Sequence, residues 1–132
     1  MNIGAVAKAT GVPPKTIRFY ESVGLLPQVR RSAAGYRVYD EDDVLRLGFI
    51  RRARRLGFAV AEVGALLALW QDQSRASAEV KALALSHIAA IDEKIAELKA
   101  IRATLGRLAE ACHGDARPHC PILEDLAGSA AA

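Results

Sequence analysis

The segment IGAVAKATGVPPKTIRFYESVG, residues 3–24, decides the fold at the front of this chain. Its apolar residues before Gly11 recur with helical spacing, and Gly11 interrupts that pattern. A second helical segment begins after Pro13-Pro14, because proline is tolerated in the first turn of a helix, and it ends near Gly24. Two short helices joined by a tight turn that contains glycine are typical of a helix-turn-helix.

The next segment predicts a basic β-hairpin, or wing. Two short β-prone runs, residues 29–31 and 36–39, flank a turn that contains Gly35. Arg30, Arg31 and Arg37 give this hairpin positive charge.

Two further helices complete the front of the chain. Asp40 is a favourable N-cap for a third helix, which ends near Gly57. A fourth helix is expected over roughly 60–70. Its apolar stripe, expected to be buried, is Val63, Leu66, Leu67 and Trp70.

Residues 78–111 predict one long helix, because they lack proline and are rich in helix-forming residues. Ile91, Leu98, Leu105 and Cys112 are each seven residues apart, which is a heptad spacing. A helix of this length spans about 50 Å and has too long an apolar stripe to bury against so small a domain. We therefore expect a coiled-coil homodimer.

The expected organisation is mainly α. It comprises a winged helix-turn-helix at 1–70, a linker at 71–77, a dimerisation helix at 78–111, and a loop, short helix and tail at 112–132.

Charge and composition indicate a polyanion partner and an intracellular setting. Residues 1–57 carry eleven Lys and Arg against five Asp and Glu, whereas residues 58–132 carry seven against ten. A basic front half is typical of nucleic-acid-binding proteins. The chain has two cysteines, no apolar run of about eighteen residues and no recognisable export signal, so we expect reduced thiols and a cytoplasmic location.

Cys112 and Cys120 are separated by a loop with a glycine and a proline, so both sulfurs can face one point. Two thiolates without a further strong ligand suit a soft monovalent ion such as Cu(I). Alternatively, His113 and His119 complete a Cys₂His₂ zinc site. A redox disulfide, a nucleophilic thiol and two simply buried cysteines are the other interpretations, and spacing alone does not choose among them.

Taken together, the motifs resemble the MerR (mercury-resistance regulator) family of transcription regulators. The resemblance rests on residues 3–12, 16–21, 24–26, 35–39 and 56–58, in order along the chain. Cys112, Cys120 and Pro121-Ile122 resemble the copper-efflux (CueR/HmrR-like) branch of that family.

The resemblance implies an antiparallel coiled-coil dimer that binds a pseudo-palindrome in a promoter and, on binding metal, distorts the DNA so that RNA polymerase can use it. It implies no enzymatic activity. Residues that it places on the DNA are Lys15, Thr16, Arg18, Tyr20, Arg31, Tyr36, Arg37 and Arg54. We expect Lys15 and Arg18 to reach base edges and most of the others to contact phosphates. For Tyr20, half-buried packing is the alternative.

For the metal site, the resemblance implies Cu(I), with Ag(I) and Au(I) as further effectors, bound by Cys112 and Cys120. In family members that sense divalent ions, a cysteine from the partner subunit occupies the position of Ser77. Ser77 is therefore expected to lie near the partner's metal site, and it also suits helix capping. A divalent Zn(II) or Co(II) regulator and a thiol redox switch stay open as alternatives.

Overall fold

The computed structural model describes residues 1–27, 30–116 and 118–128. Those ranges contain six helices and one two-stranded hairpin. The elements are α1 (Ile3–Thr10), α2 (Pro14–Ser22), β1 (Arg30–Arg31), β2 (Arg37–Val38), α3 (Glu41–Arg55), α4 (Val60–Gln71), α5 (Ser77–Ala111) and α6 (Pro121–Leu126). The chain divides into two compact units, Met1–Lys81 and Ala82–Ala132. The functional boundaries that we drew at residues 70, 77 and 111 stay a prediction.

The helix-turn-helix predicted from residues 3–24 is present in the first unit. Its helices α1 and α2 pack against each other, and α1 also packs against α3. The most deeply buried side chains are Val6, Ile17, Leu47, Ile50 and Val63, so each of the four helices in this unit contributes to one core. The apolar face of each short helix is thus stabilised by the other helices rather than by its own length.

Gly11 allows the tight turn between α1 and α2. Its backbone adopts the left-handed conformation with φ +73°, and its N–H donates to the Ala7 carbonyl at 2.8 Å. A Cβ atom at this position would lie 2.9 Å from the guanidinium carbon of Arg51. Glycine is therefore favoured by the backbone conformation, and any larger residue would also displace the guanidinium of Arg51.

The wing is an antiparallel hairpin in which Arg30 lies opposite Val38 and Arg31 opposite Arg37. Val29, which we expected in the first strand, falls outside the described residues. The start of the chain contacts the end of the hairpin, because the Met1 amino group donates to the Tyr39 carbonyl at 2.7 Å and the Tyr39 N–H donates to the Met1 carbonyl at 2.8 Å.

Helix α3 begins at the N-cap that the sequence predicts. The Asp43 N–H donates to the Asp40 carboxylate at 3.0 Å, and the Asp40 N–H donates to the Asp43 carboxylate at 2.9 Å. This reciprocal pair is a capping box, which satisfies N–H groups that a helix start leaves without partners.

One part of the stripe predicted for α4 is wrong. Val63 and Leu67 are buried and Leu66 packs against the core, but Trp70 is 43% exposed. Trp70 lies in the last turn of α4, where its ring stacks on Phe49 of α3 at a centroid distance of 4.7 Å. The amphipathic pattern of α4 therefore continues past the end of the core that it covers.

Helix α5 has 35 residues and none of them is buried. Seven large apolar side chains along it are between 40% and 55% exposed. They are Leu85, Ile88, Ile91, Ile95, Leu98, Ile101 and Leu105. We call this set the α5 stripe. A search of the described residues for a helix both long and apolar enough to cross a membrane finds none.

The conformation of Gly11 gives a stability prediction. Gly11→Ala should lower the free energy of unfolding by about 1–2 kcal/mol from the left-handed backbone alone, and further because Arg51 must move. Urea unfolding at one fixed protein concentration measures this loss.

Gly24→Ala is the matched control. Gly24 also has positive φ, at +82°, but among the described residues no atom lies within 4 Å of a Cβ added there. The control should therefore lose only the conformational part. Equal losses in the two variants would contradict the additional cost that we assign to displacing the Arg51 guanidinium.

Candidate DNA-binding surface and metal-binding loop

The second helix of the helix-turn-helix presents basic side chains to solvent. Lys15 and Arg18 are exposed one turn apart on α2, Thr16 is half-buried, and Ile17 points into the core. Because Ile17 fixes which face of α2 is buried, the exposed face that carries Lys15 and Arg18 is fixed as well. Phe19, which the sequence did not single out, is also exposed on this helix.

Tyr20 is mostly a core residue. It is 7% exposed, and its ring lies tilted against Phe19 with a centroid distance of 5.8 Å. Most of the Tyr20 side chain is therefore packed in the core, as the alternative interpretation predicts. Tyr20 offers little surface to DNA, and a DNA contact from it stays a prediction.

The three arginines of the wing each contact an acceptor within the protein. Arg30 pairs with the Asp40 carboxylate. The guanidinium of Arg31 donates to the Gly35 carbonyl at 2.9 Å. Arg37 Nε lies 3.3 Å from Glu21 Oε2. These contacts restrict long side chains that would otherwise be free, which lowers the entropy that DNA binding must remove.

Two other predicted DNA contacts lie at the surface. Tyr36, at the turn of the wing, is among the most exposed large side chains of the described chain. Arg54, in the last turn of α3, is exposed and donates to the Phe58 carbonyl at 2.7 Å. This hydrogen bond connects the end of α3 to the short segment between α3 and α4.

Charge at the junction of the wing and α3 is set by the capping box. The pKa of Asp40 is lowered, mainly by the backbone hydrogen bond from Asp43 and then by Arg30. Burial raises the pKa of Asp43. The Asp40 carboxylate raises the pKa of Arg30 in turn. Asp40 thus stays ionised and holds both a helix start and an arginine of the wing.

Cys112 and Cys120 lie at the two helix ends that border the C-terminal loop. The Cys112 N–H donates to the carbonyls of Leu108 and Ala109, both at 3.2 Å, so Cys112 directly continues the last turn of α5. Cys120 is the N-cap of α6, where Pro121 occupies the first turn. Both cysteines are half-buried free thiols.

The residues between the cysteines include the two histidines of the zinc interpretation. Gly114 adopts positive φ, at +67°, which turns the chain just after His113. His119 Nδ1 lies 3.1 Å from the Glu124 carboxylate, so one of its ring nitrogens already has a partner. Arg117, within the loop, falls outside the described residues.

A search of the described residues for three or more His, Cys, Asp or Glu side chains placed to hold a metal ion finds none. Two thiol groups are nevertheless a suitable donor set for one soft monovalent ion, because thiolates are soft ligands. Cys112 and Cys120 therefore fit the Cu(I) that the resemblance implies.

Ser77 is the first residue of α5 and is exposed. Together with Phe49, Leu66, Trp70 and Val80 it lines a cavity of about 480 Å³ in the first unit. Arg75 and Lys81 also line this cavity and give it positive charge.

Glu21 is a residue that the sequence analysis did not assign. It lies in the last turn of α2, accepts a hydrogen bond from the Tyr39 hydroxyl, and pairs with Arg37. Its position at the end of the motif 16–21 is the one sequence signal that could have drawn attention to it.

Two family profiles match this chain. That of the MerR helix-turn-helix regulatory proteins matches residues 1–69, and that described as MerR, DNA binding matches residues 44–108. Together the two profiles extend from residue 1 to residue 108, in the last turn of α5.

Curated relatives match nearly the whole chain. The transcriptional regulator HmrR of Sinorhizobium medicae is 54% identical, over 96% of this chain and 86% of its own length. The heavy metal-dependent transcription regulator 2 of Rhizobium meliloti is 51% identical, over 99% and 89%. The transcriptional regulator CueR of Escherichia coli is 45% identical, over 97% and 95%.

Two solved structures are similar to this chain in both fold and sequence. The transcription regulator PbrR691 from Ralstonia metallidurans, in complex with lead(II), superimposes with a TM-score of 0.83 at 39% identity, over 96% of this chain and 98% of that one. The MerR regulator of Bacillus megaterium, in complex with mercury(II), gives a TM-score of 0.69 at 34% identity and the same coverage.

The relatives described above are transcriptional regulators. The resemblance to the copper-efflux branch is confirmed, because two of them are named HmrR and CueR. The winged helix-turn-helix, the long helix and the two profiles agree, and the chain belongs to the MerR family of helix-turn-helix transcription regulators.

Proposed function

We propose that this protein is a Cu(I)-responsive transcriptional activator, which also answers to Ag(I) and Au(I). It acts as a homodimer on a promoter pseudo-palindrome and activates by metal-triggered distortion of the DNA. The observation that carries the proposal is the pair of free, half-buried thiols of Cys112 and Cys120, at the two helix ends that border one loop.

The DNA-binding role is supported by the charge and order of the first unit. Lys15 and Arg18 are exposed on α2, whose other face is fixed in the core, and Arg31 and Arg37 are restrained on the wing. A rigid basic surface of this kind positions a protein on phosphates and presents few side chains to base edges. Lys15 and Arg18 are the residues that we assign to bases.

The dimer is supported by the α5 stripe. Seven large apolar side chains at helical spacing are about half exposed in the single chain. Full burial of an exposed side chain of this size contributes roughly 1.5–3 kcal/mol. Covering the half of each of the seven that is still exposed contributes part of that amount, so pairing with a second α5 is favourable. An antiparallel pairing brings the start of one α5 close to the end of its partner, which is how Ser77 would come near the partner's loop.

Cu(I), when bound, supplies a soft monopositive centre that two thiolates can share. Cys112 continues α5 and Cys120 begins α6, so holding the two sulfurs together fixes the start of α6 relative to the end of α5. The loop between them has a glycine at positive φ and can fold back. With the ion bound, Cys112 and Cys120 would hold this segment in one arrangement, and the dimer would then bind the distorted form of the DNA more tightly.

A divalent-metal regulator is the main alternative. It is favoured by the likeness to the regulators solved with lead(II) and mercury(II). Against it, this chain has Ser77 where the divalent branch of the family is expected to have a cysteine. A zinc or cobalt site would need His113, which follows Cys112 directly and is exposed. A thiol redox switch is the third candidate, because both thiols are free.

Arg18→Ala should weaken binding to promoter DNA selected in vitro by roughly 1–3 kcal/mol if Arg18 reads a base. Binding to random-sequence DNA should then change much less. Arg107→Ala, which removes the same charge from α5, is the matched control and should leave both affinities close to wild type. An equal loss on both DNAs would show that Arg18 contacts only phosphate.

Cys112→Ser should abolish Cu(I) binding in competition with a chelator and abolish Cu(I)-stimulated transcription in vitro, while promoter affinity without metal stays within about twofold of wild type. His113→Ala distinguishes the Cu(I) proposal from the divalent-metal alternative. Under our proposal it leaves the Cu(I) response intact.

A Zn(II) affinity that exceeds Cu(I) affinity and depends on His113 would favour the divalent alternative. Stimulation of transcription by peroxide without metal, lost in Cys112→Ser, would favour the redox switch. Either result contradicts the Cu(I) proposal.

Ile95→Lys should convert the dimer to monomer in sedimentation velocity at micromolar concentration. It removes about 1.5–3 kcal/mol of apolar burial from each chain and adds the cost of desolvating a charge. Glu93→Lys, which lies on the opposite side of α5 from Ile91 and Ile95, introduces the same side chain and should leave the dimer intact. A wild-type monomer would overturn the assignment of the α5 stripe.

A further inference from the structure

Glu21 connects the two parts of the DNA-binding unit. It belongs to α2, and both of its carboxylate oxygens face residues of the wing and its end. Oε1 accepts a hydrogen bond from the Tyr39 hydroxyl, and Oε2 lies 3.3 Å from Arg37 Nε. Of the three arginines in the wing, Arg37 is the one whose acceptor lies on α2, which we call the recognition helix because it carries Lys15 and Arg18. Arg30 and Arg31 instead contact Asp40 and Gly35.

The carboxylate of Glu21 is held in a costly environment. Its side chain is only 10% exposed, and Tyr39 is part of the hydrophobic core. Removing a carboxylate from water is unfavourable unless partners compensate for the lost hydration. A buried ion pair adds little stability on average compared with apolar packing. The arrangement is therefore better explained by the position that it gives to its partner than by stability alone.

That partner is Arg37, which is 32% exposed and so reaches from the buried carboxylate to the surface. Within the described residues, its Nε is buried and lacks a well-directed hydrogen bond, despite the short distance to Glu21. The contact is thus an ion pair rather than a directed hydrogen bond. A guanidinium has further N–H groups in a fixed plane, so one edge can face a carboxylate while another faces a phosphate.

We propose that Glu21 is a positioning residue for DNA binding, which holds the guanidinium of Arg37 toward a DNA phosphate and fixes the wing to the recognition helix. The proposal rests on the DNA-binding half of the proposed function. Glu21 itself does not contact DNA; it acts through Arg37 and, by way of the Tyr39 hydroxyl, through the end of the wing.

The direction of the change in DNA affinity distinguishes a positioning role of Glu21 from the effect of net charge. Neutralising any acidic residue makes the protein more positive, which by itself tightens binding to a polyanion. If Glu21 positions Arg37, Glu21→Gln should instead weaken binding, because Arg37 must then be ordered at the cost of binding free energy. Glutamine has the same shape and can still accept from the Tyr39 hydroxyl, so the substitution changes mainly the charge beside Arg37.

The test measures affinity for promoter DNA selected by the wild-type protein, in a double-mutant cycle. Glu21→Gln should weaken binding roughly five- to twentyfold in the Arg37 background and by no more than about twofold in the Arg37→Ala background. Glu41→Gln, at an exposed acid in the first turn of α3, is the matched control and should leave affinity unchanged or slightly tighter.

Unchanged or tighter binding by Glu21→Gln overturns the proposal, and so does an equal loss in both Arg37 backgrounds. Thermal unfolding followed by circular dichroism confirms that each variant is folded at the assay temperature. If Glu21→Gln is unfolded there, Glu21→Asp, which keeps the charge but shortens its reach, enters the same cycle with the same expected pattern. Failure of the wild-type protein to select any DNA would instead refute the DNA-binding role itself.

Discussion

The α5 stripe is the constraint on which the rest of this molecule depends. A 35-residue helix exposes a line of large apolar side chains along most of its length, and none of its residues is buried within one chain. Such a surface is unstable in water unless a second surface covers it. In our account a second copy of the helix does so, and the dimer that results carries two DNA-binding units and two cysteine loops. The exposed apolar face of α5 thus accounts for how two copies of each site come to act together in one dimer.

The DNA-binding unit is ordered before it meets DNA. Arg30, Arg31 and Arg37 contact acceptors on α3, on the wing's own turn and on α2, respectively. The start of the chain is hydrogen-bonded to Tyr39 at the end of the wing. In the proposed mechanism these contacts keep the unit in one arrangement, and the DNA is the partner that changes shape. This property suits a regulator that acts by distorting its promoter.

Local pattern predicted much of the fold and less of the site. The turn at Gly11 and the cap at Asp40 were found because glycine and capping residues act through their immediate neighbours. Trp70 was misjudged because periodicity shows which face of α4 is apolar but not where the core beneath it ends. Glu21 was missed because its partners are 16 and 18 residues away and meet it only in three dimensions. Which metal binds depends on the number and arrangement of the ligands around it. A sequence names the candidate ligand residues but does not determine that arrangement.

The central claim is that the sulfurs of Cys112 and Cys120 together bind one Cu(I) ion. X-ray absorption spectroscopy of the dimer, loaded with one equivalent of Cu(I) per chain without oxygen, tests it most directly. Our account predicts a two-coordinate site with sulfur as the only donor element. Nitrogen donors in the first coordination sphere, or a coordination number of three or four, would contradict it.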